Sequence, residues 1–381
     1  MSESIKFEVD EKDVLNVSNK IPIEKIYDHN INILIGSGAS FGLFPTLALK
    51  FDGGKHSIES LATKFEEDKK SNLTTLLFMH YYNECIKPIA NFSLDTCNGT
   101  TDKEEVISNY KSFLETILRV LNQKHKKNIN LFTTNYDGCL PLVADSLLKE
   151  KEFIINDGAT GFHKKYLKAS NFNITSSKTG VFDQYKVEIP QINLINLHGS
   201  IYWQKEDSNI LVDYTKDQNH EIALCNNLEK FSSTLNDESK YLKDIYSQNY
   251  ECNECNSGHF WRKYNKLPIV NPTKWKFHET VFEEHYYQML RLMSYELEKP
   301  SSVLITFGFS FADEHIENLV KRSLSNPNLQ VYICCFNINE KDNMKKKFSK
   351  YQNVKYICAQ DENLDFTKFN NEIFSLGDSN K

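Results

Sequence analysis

Four short stretches carry residues with chemistry to offer, and each directly follows an apolar run. Gly36-Ser37-Gly38-Ala39-Ser40-Phe41-Gly42 follows Ile31-Asn32-Ile33-Leu34-Ile35. Glycines let a backbone turn sharply and approach a pyrophosphate, and a helix starting there offers N–H groups to the anion. The spacing is G-x-G-x-x-x-G rather than G-x-G-x-x-G, so a plain strand-to-helix turn is the competing reading. Thr133-Thr134-Asn135-Tyr136-Asp137 closes the run that begins at Asn128. An Asn amide both donates and accepts, and an Asp accepts from an amide or a ribose hydroxyl; the competing reading is an Asn/Asp turn.

Asn196-Leu197-His198-Gly199-Ser200 closes the run from Ile192. A histidine there suits general-base work near neutral pH, against the plainer reading of a structural histidine. Gly308-Phe309-Ser310-Phe311-Ala312-Asp313-Glu314-His315 follows Ser302–Phe307. It suits a second phosphate or ribose contact, and Asp313 also reads as a helix cap.

These stretches need elements that bring them together. The runs ending at Ile35, Thr133, Leu197 and Phe307, with further ones at Gln330–Phe336 and Val354–Cys358, are nearly continuous in apolar and β-branched residues. That pattern suits strands buried on both faces of a parallel sheet. Helical periodicity lies between them, over residues 101–123, about His278 to Lys299, and from about Asp313. Alternating strands and helices predict an α/β fold, a doubly wound, mostly parallel, Rossmann-like sheet. In such sheets ligands bind beyond the carboxyl ends of the strands, where all four stretches fall. We expect one domain over residues 1–381, with a helical insertion at 55–125 and a polar, partly loop-like insertion at 204–262.

Taken in order, the four stretches resemble the sirtuin superfamily. Gly36-Ser37-Gly38-Ala39-Ser40 resembles its glycine-rich NAD-binding loop, with Pro45-Thr46 where that family has a following proline. Thr134-Asn135-Tyr136-Asp137 resembles the Gln-Asn-Ile-Asp motif, with Thr for Gln. Leu197-His198-Gly199 resembles the segment bearing the catalytic histidine. Gly308-Phe309-Ser310 resembles the Gly-Thr-Ser segment, and Asn337 is similar to an asparagine contacting the adenosine end. The variants are most similar to bacterial antiphage sirtuin-like effectors that hydrolyse NAD⁺.

The resemblance implies an NAD⁺ glycohydrolase with NAD⁺ as substrate, giving nicotinamide and ADP-ribose. Asn135 and His198 would be catalytic. Gly36, Ser37, Gly38, Ala39, Ser40, Thr134, Asp137, Gly308, Ser310 and Asn337 would bind NAD⁺, with Asp137 on the carboxamide. It also implies a homo-oligomer working with a HerA-type hexameric ATPase. Two alternatives stay open: an NAD⁺-dependent protein deacylase, and a module that senses NAD⁺ or ADP-ribose without turnover. One departure matters. Deacetylase sirtuins carry two Cys-x-x-Cys pairs on a zinc ribbon, whereas only Cys252-x-x-Cys255 appears, with His259 and the distant Cys225 as further ligand candidates. Free thiols are therefore expected ahead of a zinc site.

Composition is compatible with this. Of 381 residues, 40% are hydrophobic and 25% charged, an ordinary globular balance. A net charge of −6 does not suit a free-standing nucleic-acid binder, so direct nucleic-acid binding is not expected. Lys124-His125-Lys126-Lys127 and Lys345-Lys346-Lys347 read as solvated helix ends or loops. There is no apolar run of about 18 residues, so no membrane span is expected. The nine cysteines are too sparse for a disulfide scaffold, and the N-terminal stretch lacks a secretory pattern. Both point to a cytoplasmic location.

Overall fold

The computed structural model describes residues 20–97, 101–182, 184–215, 222–250, 252, 254–271, 280–359 and 362–376. Among the described residues thirteen strands run in chain order: β1 (Asn30–Ile35), β2 (Asn128–Thr133), β3 (Ile154–Asn156), β4 (Ala159–Thr160), β5 (Lys165–Leu167), β6 (Ser177–Thr179), β7 (Lys186–Glu188), β8 (Gln191–Asn196), β9 (Trp203–Glu206), β10 (Asn209–Val212), β11 (Ser302–Phe307), β12 (Gln330–Cys334) and β13 (Val354–Ile357). Seven form the central sheet in the order β13-β12-β11-β1-β2-β8-β3. Every pairing in it is parallel. The chain leaves β1 towards β2 and later returns to its other side at β11. The order therefore reverses around β1, where a doubly wound sheet opens its ligand crevice.

The apolar runs form strands because both faces are covered. Ile31, Ile33 and Ile35 face one core with Ile129, Leu131, Ile192 and Leu194, under helices Ile58–Glu67, Ser71–Tyr81, Thr101–Gln123 and Cys139–Leu148. Leu34, Phe132, Ile195 and Leu304 face the other core, under helices Thr280–Glu298, Glu314–Ser323 and Ile338–Phe348. The doubly wound α/β expectation holds.

The second core is crossed by a row of amides that breaks the apolar pattern. Asn32 and Asn130 are in register, as are Asn130 and Asn193, and Asn193 and Asn156. Asn130 Nδ2 donates to Asn32 Oδ1 at 2.9 Å, and Asn193 Nδ2 to Asn130 Oδ1 at 2.9 Å. Asn156 Nδ2 donates to Asn193 Oδ1 at 3.2 Å, and Asn32 Nδ2 ends the row on Ser302 Oγ at 3.1 Å. Each amide passes its hydrogen bond the same way, so no amide of the row need be left unpaired.

The two insertions meet. The described residues of 204–262 hold more regular structure than their polar composition predicts. They hold most of the β9–β10 hairpin, which joins β5 and β4 in an antiparallel sheet, and helices Leu228–Leu235, Leu242–Tyr246 and most of Glu254–Tyr264. Widely spaced aromatics make this possible: Phe231, Tyr250, Phe260 and Tyr264 are buried in the same core as the helical insertion. Phe78 packs on Trp261 with ring centroids 5.1 Å apart, and His80 Nδ1 lies 2.7 Å from Ser232 Oγ. Among the described residues no helix is long and apolar enough to cross a membrane.

Candidate functional site

The carboxyl ends of β1, β2, β8 and β11 surround a cavity of about 150 Å³. A single water needs only about 10–15 Å³, so the space suits a multi-atom ligand. Ser37, Ser40, Thr134, Asn135, Asp137, His198, Gly308 and Ser310 all line it, as do Pro45 and Thr46. The structure thus brings together residues from all four stretches.

The glycine-rich loop differs from expectation. No long helix follows β1; Ser37–Ser40 forms one 3-10 turn and the chain becomes extended at Phe41. The N–H groups of Gly36, Gly38 and Ala39 are occupied by Phe307 O, Gly308 O and Gly36 O, at 3.0, 3.0 and 3.1 Å. The glycines answer a different need. A Cβ on Gly36 would lie 2.4 Å from Gly308 O, and one on Gly38 would lie 2.7 Å from Gly308 Cα. Gly308 itself has φ +63. Two glycine turns, far apart in sequence, press backbone against backbone. Their exposed remainder on the cavity is Ser37 and the Gly308–Ser310 rim.

Ser40 sits beneath that turn, 3% exposed, as a hub. Its hydroxyl donates to Asp137 Oδ2 at 2.8 Å, and Tyr110 OH lies 2.7 Å away. Ser40 has one proton and gives it to the carboxylate, so Tyr110 is the donor in the second bond. Asp137 Oδ1 accepts from Cys139 N at 3.0 Å, fixing the start of helix Cys139–Leu148. Burial pushes the Asp137 carboxyl above its usual range. Ser40 and Asp137, expected on the pyrophosphate and the carboxamide, are engaged first in holding the loops together.

Asn135 shows the clearest unmet bonding capacity. Its Nδ2 donates to Gly36 O at 3.2 Å and to Ser40 Oγ at 3.3 Å. Gly36 O can only accept, which fixes the amide orientation. Asn135 Oδ1 is then left buried with no hydrogen-bond partner. A buried acceptor left unsatisfied costs about 1–3 kcal/mol. A hydroxyl or water donating to it removes that cost.

His198 faces the same cavity, and its Nε2 lies 3.0 Å from Asp313 Oδ2, with side-chain exposures of 18% and 9%. Val270 N–H donates to His198 O at 2.9 Å and holds the backbone. Asp313 also caps helix Glu314–Ser323, as the sequence indicates: Oδ1 accepts from His315 N at 2.8 Å and Ile316 N at 3.2 Å. One carboxylate therefore anchors a helix and stands beside the imidazole. Local pattern signalled the cap but not the second role, because the histidine lies in a distant loop.

The helical insertion adds residues that strand-end reasoning missed: Glu59, Tyr81 and Cys85 line the cavity. Tyr81 OH donates to Tyr136 OH at 2.9 Å. Burial pushes the Cys85 thiol up to about 12, so it is protonated at neutral pH and is no thiolate nucleophile.

Asn337 does not join the site. It is the N-cap of helix Ile338–Phe348, its Oδ1 accepting from Glu340 N at 3.0 Å, and it is not among the cavity-lining residues. Of the metal-ligand candidates, Cys225, Cys252 and His259 are not among the cavity-lining residues. Cys252 is half-buried and hydrogen-bonds Cys225. His259 lies on helix Glu254–Tyr264, and the side chain of Cys255 is outside the described residues. Among the described residues no group of three or more His, Cys, Asp or Glu side chains is placed to hold a metal ion.

Comparison with protein-family models gave no match. Comparison with curated proteins gave none either.

Proposed function

We propose that the protein is an NAD⁺ glycohydrolase acting at this cavity. The observation that carries the reading is the orphaned, buried Oδ1 of Asn135, a residue that lines the cavity together with His198, Ser37, Gly308 and Ser310. The reaction joins NAD⁺ and water to give nicotinamide, ADP-ribose and a proton. The bond between nicotinamide nitrogen and the ribose anomeric carbon breaks, and a water oxygen bonds to that carbon. Nicotinamide leaves with the bonding pair, so the transition state is oxocarbenium-like. Positioning and fixed dipoles then supply much of the acceleration.

Asn135 Oδ1 accepts from the attacking water or a ribose hydroxyl and orients it. His198 takes the proton, directly or through that hydroxyl. Asp313 stands ready to balance the imidazolium that forms. The serines and Gly308 contact phosphate or ribose. By the same resemblance, the enzyme acts in antiviral defence by NAD⁺ depletion, as a cytoplasmic homo-oligomer partnered by a HerA-type ATPase.

The test is product analysis after incubating purified protein with NAD⁺ and no acylated peptide. Nicotinamide and ADP-ribose should accumulate. His198→Ala and Asn135→Ala should each lower the rate by about 10²-fold or more, the usual worth of a positioned acid–base group. No NAD⁺ loss, or loss that both variants leave unchanged, would remove the proposal.

A further inference from the structure

The ribbon formed by β6 and β7 is exposed at every residue. A two-stranded ribbon is marginally stable alone. Contacts at its base include Lys178 with Glu152, and Lys127 N–H donating to Glu188 Oε2 at 3.1 Å. Around β7 the sequence alternates as Tyr185-Lys186-Val187-Glu188-Ile189. That is the period of a half-buried strand. Yet Tyr185 is 69% and Val187 44% exposed, and Phe182 at the tip is 98% exposed.

The backbone shows which edge is open. Gly180 N–H donates to Tyr185 O, and Ile189 N–H to Ser176 O, each at 2.9 Å. Residues 185, 187 and 189 therefore turn their backbone groups towards β6, and Lys186 and Glu188 turn theirs outward. An exposed edge of this kind is a template for another strand.

The occupant is specified by the order of charges. Place a two-fold axis at Val187 and run a second β7 antiparallel to the first. Lys186 then faces Glu188 of the second copy, and Glu188 faces its Lys186. These are the residues whose N–H and C=O groups point outward, so each pair exchanges two backbone hydrogen bonds and opposes unlike charges. On the other face Val187 meets Val187, and each Tyr185 meets an Ile189, covering apolar surface left in water by the single chain. Such an isologous contact is self-complementary, as closed two-fold symmetry requires.

We propose that β7 is a dimerisation edge, pairing antiparallel with β7 of a second copy of this chain. The inference is independent of the reaction at the cavity. The test uses the full chain and sedimentation velocity over the micromolar range at low salt. Lys186→Glu or Glu188→Lys alone sets like charges opposite one another at two symmetry-related positions. Each should weaken the dimer by about tenfold. The double exchange Lys186→Glu/Glu188→Lys restores unlike pairs and should restore the dimer. Mixing the two single variants should give a heterodimer, since an all-acidic edge then meets an all-basic one. A monomeric wild type, single variants that sediment like wild type, or a double variant that stays as weak as the singles would each overturn the proposal.

Discussion

Replacing Gly308 by alanine adds one methyl group at the point where the two glycine turns meet. The structure separates its two costs. The first is conformational: φ is +63, where a Cβ costs about 1–2 kcal/mol. The second is steric: the new carbon would lie 2.6 Å from Ala39 N and 2.9 Å from Gly38 C, both backbone atoms with little room to yield. Overpacking of this kind costs about 1–3 kcal/mol, so the expected loss is about 2–5 kcal/mol. Two other glycines isolate the parts. Gly53 has φ +62 but no atom within 4 Å of its added Cβ, so Gly53→Ala should show the conformational cost alone. Gly258, in helix Glu254–Tyr264, also has open space, and alanine there should stabilise by roughly 0.5–1 kcal/mol. Urea unfolding should rank the midpoints Gly258→Ala, wild type, Gly53→Ala, Gly308→Ala from high to low. If Gly308→Ala matches Gly53→Ala, close contact between the loops is not why glycine stands at 308.

Three further outcomes follow from particular side chains. Asp313→Asn keeps an equally good helix cap but removes the charge beside His198, so NAD⁺ turnover should fall by up to about two orders of magnitude at near-constant urea midpoint; unchanged turnover would place His198 outside the chemistry. Asn130→Leu strips Asn32 Oδ1 of its donor and leaves Asn193 Nδ2 only Phe172 O at 3.5 Å, and at about 1–3 kcal/mol for each group should cost about 2–6 kcal/mol in equilibrium unfolding. His285 is 8% exposed, and burial lowers its pKa from about 6.5 to about 4. The folded protein therefore refuses a proton that the unfolded chain accepts. This contribution to stability is complete above about pH 6.5, falls by about 3 kcal/mol towards pH 4 and is level below. His285→Leu should flatten that part of the stability–pH curve; an unchanged slope would assign it to other groups.

The strands beneath the cavity are legible because burial on both sides leaves an unmistakable apolar run, and the abrupt polar residue at each end marks the crevice. What escaped the sequence is non-local. The Gly36–Gly308 contact joins residues 272 apart in sequence (308 − 36), and no local spacing announces it. Asp313 satisfied a complete local explanation as a cap, which concealed its second oxygen. The polar stretch at 204–262 looked loop-like because its buried aromatics are spread thinly among Asn, Asp and Lys. The amide row left a trace, Asn-Ile-Asn at 30–32 and again at 128–130, which acquires meaning only when the strands are laid side by side.

That row acts as a levelling device for the loops around the cavity. A strand that slipped by one residue would turn its asparagine to the opposite core and leave the neighbouring amides unmatched. Asn32, Asn130 and Asn193 lie at one height, and Gly36, Thr134 and Leu197 each come four residues later (36 − 32, 134 − 130, 197 − 193). Gly308 shares that height through the pairing of Leu304 with Asn32. The loops consequently depart from a common plane, and the distance between Asn135 and His198 is governed from the interior, four residues below the cavity. A change in one loop therefore leaves in place the datum from which the others are measured.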